Sequence, residues 1–355
     1  MSVAGFEEFA NTVGSGPKSV RGEESPALTR VAVLGGGDDA CMYAALALSA
    51  GCEVTLFSAY GRELEALRAA GAITLRGEGP VGSFHVDQPR GPTIRTTAAL
   101  DDVVGGAEAI LLTGPLHKQR TYAMVLADHV GDGQILVLPQ ARSLGAVEVA
   151  WLLRSGGCSA DVTIAEFGGA PFWCRRAGGA LHLSACGDLP AATLPHGRDA
   201  VLAVLSPIFP GFSPALSCVH SGFADASAAV ELPALLMGGP AAPDGAPEVQ
   251  EGGVPLDENR TFRALIGDAH QAMIDRLWSE RAAVAADYGV RELPGTDAVI
   301  ARVAGTPRGA GARPVPSKDQ ADEALRAGVI GSLIPLLSAA ELTGRDLPAT
   351  RAMVE

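Results

Sequence analysis

The residues with the clearest chemical potential are Gly35-Gly36-Gly37-Asp38-Asp39-Ala40. They stand between a short apolar run, Val31 to Leu34, and a small-residue helical pattern through Ala44, Leu46 and Leu48. This is G-x-G-x-x-A at a strand-to-helix turn. The first glycine permits the tight turn, and the second lets the backbone approach a pyrophosphate. Ala40 leaves room for close helix packing, and the helix N-terminus favours a phosphate's charge. The expected ligand is therefore a dinucleotide, with Gly35, Gly37, Asp38 and Ala40 in its site. Asp38 and Asp39 oppose an anion unless their carboxylates point away.

A second strand, Val54 to Phe57, ends where such sites usually carry an acid for the ribose 2′-hydroxyl. Here Ser58 takes that place, with Arg62 four residues later. A hydroxyl and a guanidinium suit a 2′-phosphate, so NADP(H) is the expected cofactor and NAD(H) the alternative. The strand AILLT then runs into Thr113-Gly114-Pro115, a loop expected to pass over the cofactor.

These residues need a scaffold of alternating strands and helices. Beyond the first βαβ unit, the pattern gives a helix over about 61–70 and strands at 109–113 and 134–138. Helices are expected near 118–130 and 143–154. That order implies a Rossmann-type α/β domain with a doubly wound parallel sheet. A long amphipathic pattern over 262–289 and a last helical stretch over 319–343 imply an all-helical C-terminal domain. The expected division is a polar leader over 1–28, a dinucleotide-binding domain over 29–190 and a helical domain over 191–355. A loop rich in Pro, Gly and Ala, near 237–255, interrupts the last of these.

Composition narrows the function classes. With 355 residues, 40 acidic against 27 basic side chains and a net charge of −13, the chain has no Lys/Arg block, so a nucleic-acid partner is not expected. No stretch of the sequence reads as the roughly 18 to 20 apolar residues of a membrane span. The first residues lack an apolar signal-peptide core, making the cytoplasm the expected compartment. The six cysteines form no C-x-x-C pair or metal-ligand cluster and read as reduced core residues, with no metal expected.

Taken together, VAVLGGGDDA, DGQILVLPQARSLGAVE, IAEFGGAPFWCRR, SERAAVAADYGV and VIGSLIPLLSAAELTG resemble the octopine/nopaline-type opine dehydrogenases over about residues 30–345. The resemblance implies a Rossmann domain joined to an all-helical domain. It also implies NAD(P)H-dependent condensation of an amino acid with a 2-oxo acid, and a homodimer. By the same resemblance Gly35, Gly37, Ala40 and Thr113-Gly114-Pro115 bind cofactor.

The family's catalytic positions depart from that pattern. Its histidine falls on Leu232, in ASAAVELP, and its partner aspartate falls near Trp278. A leucine cannot move a proton, yet hydride transfer to an imine or ketone needs a general acid. The candidates to replace it are His220, Glu231 and His270. Arg260 and Arg142 are the candidate contacts for a substrate carboxylate. Two readings stand at this point. One is a reductase of the opine type acting on an imine or 2-oxo acid. The other is a dinucleotide-binding homologue without hydride transfer. A third group, the ketopantoate reductases, shares the layout but uses a lysine from the helical domain. Of the three lysines here, Lys18, Lys118 and Lys318, none lies between 190 and 317.

Overall fold

The computed structural model describes residues 27–237 and 261–355. The leader up to residue 26, the Pro/Gly/Ala-rich loop from residue 238 and Arg260 lie outside the described residues.

In chain order the strands are β1 (Arg30–Leu34), β2 (Glu53–Phe57), β3 (Ala72–Gly77), β4 (Gly82–His85), β5 (Ile94–Thr97) and β6 (Ala109–Leu112). They continue with β7 (Ile135–Leu138), β8 (Thr163–Phe167), β9 (Phe172–Ala177), β10 (Ala180–Ala185), β11 (Leu189–Leu194) and β12 (Phe212–Pro214). The helices of the sheet region are α1 (Asp38–Ser49), α2 (Gly61–Ala70), α3 (Leu100–Val104), α4 (Leu116–Leu126), α5 (Gly145–Ser155) and α6 (Asp199–Leu205). Those beyond it are α7 (Cys218–Phe223), α8 (Ser227–Leu236), α9 (Asp268–Asp287), α10 (Thr296–Ala304), α11 (Lys318–Gly328), α12 (Ile334–Thr343) and α13 (Pro348–Val354).

The main sheet has the order β12-β11-β8-β7-β6-β1-β2-β5 and is parallel except where β11 meets β8. Val31 to Leu34 and Ala109 to Leu112 are buried on both faces, as central parallel strands require. The chain leaves β1 toward β2 on one side and returns to β6 on the other, so the ends of β1 and β6 form the topological switch point. The sheet extends through β11 and β12 to Pro214, so the expected boundary at 190 falls inside β11.

A second sheet, β4-β3-β10-β9, was not legible as such in the sequence. It lies across α1, which contacts β3 and β9 on one side and β1 and β2 on the other. Ala40, Ala44, Ala45 and Ala47 are all buried, which explains why this helix is built from small side chains rather than a single apolar stripe.

The long pattern over 262–289 divides into a 3₁₀ turn (Phe262–Leu265) and α9, with Gly267 between them. The last stretch, Lys318–Thr343, is continuous helix with a π segment, Val329–Leu333, at its centre. It is 26 residues long, and an 18-residue window within it, of mean hydropathy 1.4, reaches the apolarity of a membrane span, which the sequence reading did not find. In the fold α11 packs against α8, and α12 packs against α9. All six cysteines are free, as expected.

Candidate active site

Gly35, at φ +142°, turns the chain out of β1 under Thr113. A Cβ there would stand 2.4 Å from the Thr113 hydroxyl oxygen. That hydroxyl donates to the Leu34 carbonyl at 2.8 Å, tying the end of β6 to the end of β1. Gly114 has a positive φ and Pro115 caps α4, so the Thr113-Gly114-Pro115 loop lies beside the glycine turn. Gly37 is the N-cap of α1, without a side-chain cap, and a Cβ on it would meet nothing within 4 Å. Open space thus faces uncapped N–H groups at a helix N-terminus, which suits a pyrophosphate. The residues present fit a dinucleotide.

The two acids beside this turn have separate fates. Asp38 is turned away to Arg176 of β9, at 2.7 Å from Nε and 2.6 Å from Nη2. Asp39 is half-buried, and its nearest polar neighbour across the crevice is Gln140, whose Nε2 lies 3.5 Å away. Burial, and then the neighbouring Asp38 charge, push its carboxyl up to about 6.

Ser58 and Arg62 do not form the expected pair. The Ser58 hydroxyl donates to Glu63 Oε2 at 2.5 Å, and Arg62 is exposed. A carboxylate in the first turn of α2 thus takes the Ser58 hydroxyl.

The opposite wall is built by the turn after β7. Arg142 (φ +54°) and Leu144 (φ +63°) hold left-handed conformations that non-glycine residues rarely adopt. The turn is clasped by the helical region. The Ser143 amide donates to the Gly331 carbonyl in the π segment at 3.0 Å, and a Cβ on Gly331 would lie 3.2 Å from the Arg142 side chain. Arg142 reaches Glu231 at 3.1 Å, and Arg313 reaches the other Glu231 oxygen at 2.8 Å. All three side chains are nearly buried. Burial opposes the Arg142 charge, but Glu231 and Asp225 hold its pKa above the ordinary value.

Behind this triad a second polar cluster joins the sheet to the helices. Arg281 donates to the Ser143 hydroxyl (2.9 Å) and the Gly222 carbonyl (3.2 Å), while the Ser143 and Ser332 hydroxyls donate to Asp225. Burial raises the pKa of Asp225, but the charges of Arg281 and Arg142 outweigh it and hold the carboxyl below its usual range. Glu166 of β8 accepts from the Ala146 amide (2.9 Å) and the Ser221 hydroxyl, and burial pushes it up to about 7.

The three expected acids are each occupied. His220 Nδ1 lies 2.9 Å from the Ser217 hydroxyl at the start of its own helix. His270 Nδ1 accepts from the Gly267 amide at 3.2 Å. Glu231 is the counter-ion of Arg142 and Arg313. Glu63, Gln140 and Arg313 were missed, because no local spacing links them to their partners.

No family model matches the chain. Among curated proteins, the opine dehydrogenase of Arthrobacter sp. (strain 1C) is 26% identical over 209 residues. That match covers 58% of this chain and 56% of that protein, little over half its length. Among solved structures, octopine dehydrogenase with NADH and L-arginine matches at a TM-score of 0.67 and 19% identity. The likeness covers 92% of this chain and 88% of that one. Part of the chain is thus similar in sequence to an opine dehydrogenase, and its fold is similar to that of octopine dehydrogenase. A ketopantoate reductase of Ralstonia eutropha shares the fold at a TM-score of 0.62 and 18% identity, over 92% of this chain and 96% of that one. D-mandelate dehydrogenase with NADH and anilino(oxo)acetate shares it at 0.66 and 12% identity, with the same coverage.

The positions where the resemblance places the opine dehydrogenases' histidine and aspartate are core. Leu232 is fully buried and lies against Gly328 of α11. Trp278 is buried among the helices, and its Nε1 donates to the Pro294 carbonyl at 2.8 Å. Among the described residues no three His, Cys, Asp or Glu side chains gather at metal-binding distance.

Proposed function

We propose that the protein is a nicotinamide-dinucleotide-dependent oxidoreductase that reduces an imine or 2-oxo acid, the imine arising by condensation of an amino acid with a 2-oxo acid. One observation carries this reading. The open glycine turn after β1 and the turn after β7 that holds Arg142 lie at the ends of strands of one sheet, and Gln140 of the second turn comes within 3.5 Å of Asp39 beside the first. A bound reduced dinucleotide would supply the hydride. The protein's own part is to bind the pyrophosphate on the Gly35–Gly37 turn and to present Arg142 to a substrate carboxylate. Glu231 accepts from only one Arg142 nitrogen and so fixes the guanidinium with donors to spare. Backbone strain at Arg142 is the kind of cost that persists at a binding site when surrounding packing enforces it.

The second reading, a dinucleotide-binding homologue without hydride transfer, is favoured by Leu232 and Trp278 and by the prior engagement of His220, Glu231 and His270. Mixing the full-length protein with NADH or NADPH and pooled amino acids and 2-oxo acids, and following the loss of reduced cofactor, separates the two. The reductase reading predicts turnover on at least one pool. Tight cofactor binding with no turnover on any pool selects the second reading. The NADP(H) preference expected from Ser58 and Arg62 gains no support from the Ser58 hydroxyl, which is bound to Glu63. The homodimer remains part of the proposal, supported by the exposed Trp151, Ile330 and Ile334, and is checked by the mass of the particle in solution.

A further inference from the structure

We propose that Glu63, reaching back from the first turn of α2, reads the adenosine ribose of the cofactor and selects NAD(H) against NADP(H). The inference rests on the dinucleotide reading above and concerns a residue that neither the strand end nor the glycine motif designates.

The side chain lies where the ribose must pass. The switch point places the adenosine half between the glycine turn and the end of β2. Glu63 fills the face of Gly36 so closely that a Cβ there would stand 2.0 Å from Oε2 and 2.7 Å from the Glu63 Cβ. The same oxygen accepts from the Ser58 hydroxyl at 2.5 Å, directly after β2. Ser58 also accepts from the Tyr60 amide at 3.1 Å, which fixes the hydroxyl's direction and leaves its proton for Glu63. The carboxylate is thereby held at the mouth of β2, reached from the following helix instead of from the strand itself. Oε1 has no hydrogen-bond donor of its own at short range, since Lys118 Nζ stands 3.9 Å away. It has lone pairs for a ribose hydroxyl.

The surrounding cations do not convert the place into a phosphate site. Lys118 stands beside Glu63, and it sits 4.5 Å over the Tyr60 ring as well as 3.9 Å from the carboxylate, so its charge is already matched. Arg62 is exposed at the start of the helix. A 2′-phosphate entering here would meet a fixed carboxylate first, and like charges at contact disfavour binding. A 2′-hydroxyl would meet a charged acceptor.

The test is a fluorescence titration of the full-length protein with NADH and with NADPH at one ionic strength, for the wild type, Glu63→Gln and Arg62→Ala. A charge-assisted hydrogen bond lost to the ribose predicts that the wild type binds NADH at least about tenfold more tightly than NADPH. Glu63→Gln should lose most of that ratio, chiefly by binding NADH less tightly. Arg62→Ala should leave both affinities as they are. Melting temperatures of the variants show whether each remains folded, and competition by adenosine 2′-phosphate against AMP on the wild type gives the same ratio without any variant. Tighter binding of NADPH, or of adenosine 2′-phosphate, overturns the role of Glu63 while leaving the dinucleotide reading intact. Binding of neither cofactor overturns both.

Discussion

The two walls of the crevice are built on different principles. Around Gly35 and Gly37 the backbone makes the site: a positive φ, an open face and an uncapped helix end, none of which depends on a distant side chain. Around Arg142 side chains make it, through pairs separated by 82 and 89 residues in sequence, Arg313 with Glu231 and Arg142 with Glu231. The backbone wall keeps the pattern that the opine dehydrogenase resemblance implies. The side-chain wall does not, since Leu232 and Trp278 have been absorbed into the core. A backbone cradle tolerates divergence at most side chains, whereas a proton-transfer pair is lost with one substitution. That difference explains how a chain can look fully equipped for a dinucleotide and unequipped for the customary acid.

The sharpest way to break this comparison is to restore the family's pair with Leu232→His and Trp278→Asp together. If those positions face the crevice, turnover rises. The fold predicts the opposite. Leu232 lies against Gly328 and Trp278 is buried with its indole N–H bound to Pro294, so the double variant buries two poorly partnered polar groups and loses a large aromatic. Trp278→Asp alone should cost about 3–5 kcal/mol or more, a large share of the ~5–15 kcal/mol that holds a domain together. Urea denaturation would show the loss, and reduced-cofactor oxidation should show no gain.

A smaller effect sharpens the role assigned to the other wall. Arg142→Lys keeps the charge opposite Glu231 but removes the guanidinium fork. With Arg313 still holding Glu231, kcat/KM for a carboxylate substrate should fall by about tenfold to a hundredfold, in keeping with a lost charge-assisted hydrogen bond. Dinucleotide affinity should not change, because Arg142 has no contact with the glycine turn. A parallel loss of cofactor affinity would mean that the two walls are not separable.

The same contrast decides what the sequence could reveal. β1, β2, β6 and β7 are continuous apolar runs with short turns, so their type and order follow from local pattern. The second sheet was missed because the β3–β4 and β9–β10 pairs join only through β3 and β10, across about a hundred residues, and their strands carry polar groups such as Arg76, Arg175 and His182. At the site the glycines were legible because their requirement is local. Glu63 was not, because it sits six residues beyond the strand end, out of register with the usual acid. His220 and His270 carry a local signal for the partners they take. Ser217 and Gly267 each stand three residues ahead, the spacing of a helix N-terminal cap, where a histidine nitrogen partners the turn before it. Arg313 had no local signal at all.

The smallest expected effect tests the backbone wall itself. Asp39, unlike Asp38, is not turned away to an arginine, and its carboxyl is pushed up to about 6, first by burial and then by Asp38. Below that pH it is neutral and the helix N-terminus presents an undiluted positive end. Above it, the ionised carboxylate stands beside the anion it must admit. Dinucleotide affinity should therefore fall several-fold as pH rises from about 5 to about 8. Stability should move in the same direction. A carboxyl whose folded pKa lies above its unfolded value of 3.8 favours the native state only while protonated, so that contribution is lost as pH rises from about 4 through 6. Asp39→Asn should flatten this part of both profiles and bind the dinucleotide more tightly than wild type at pH 8. If titrations across that range show the same affinity for both proteins, Asp39 does not face the pyrophosphate, and the backbone wall would owe nothing to the acid beside it.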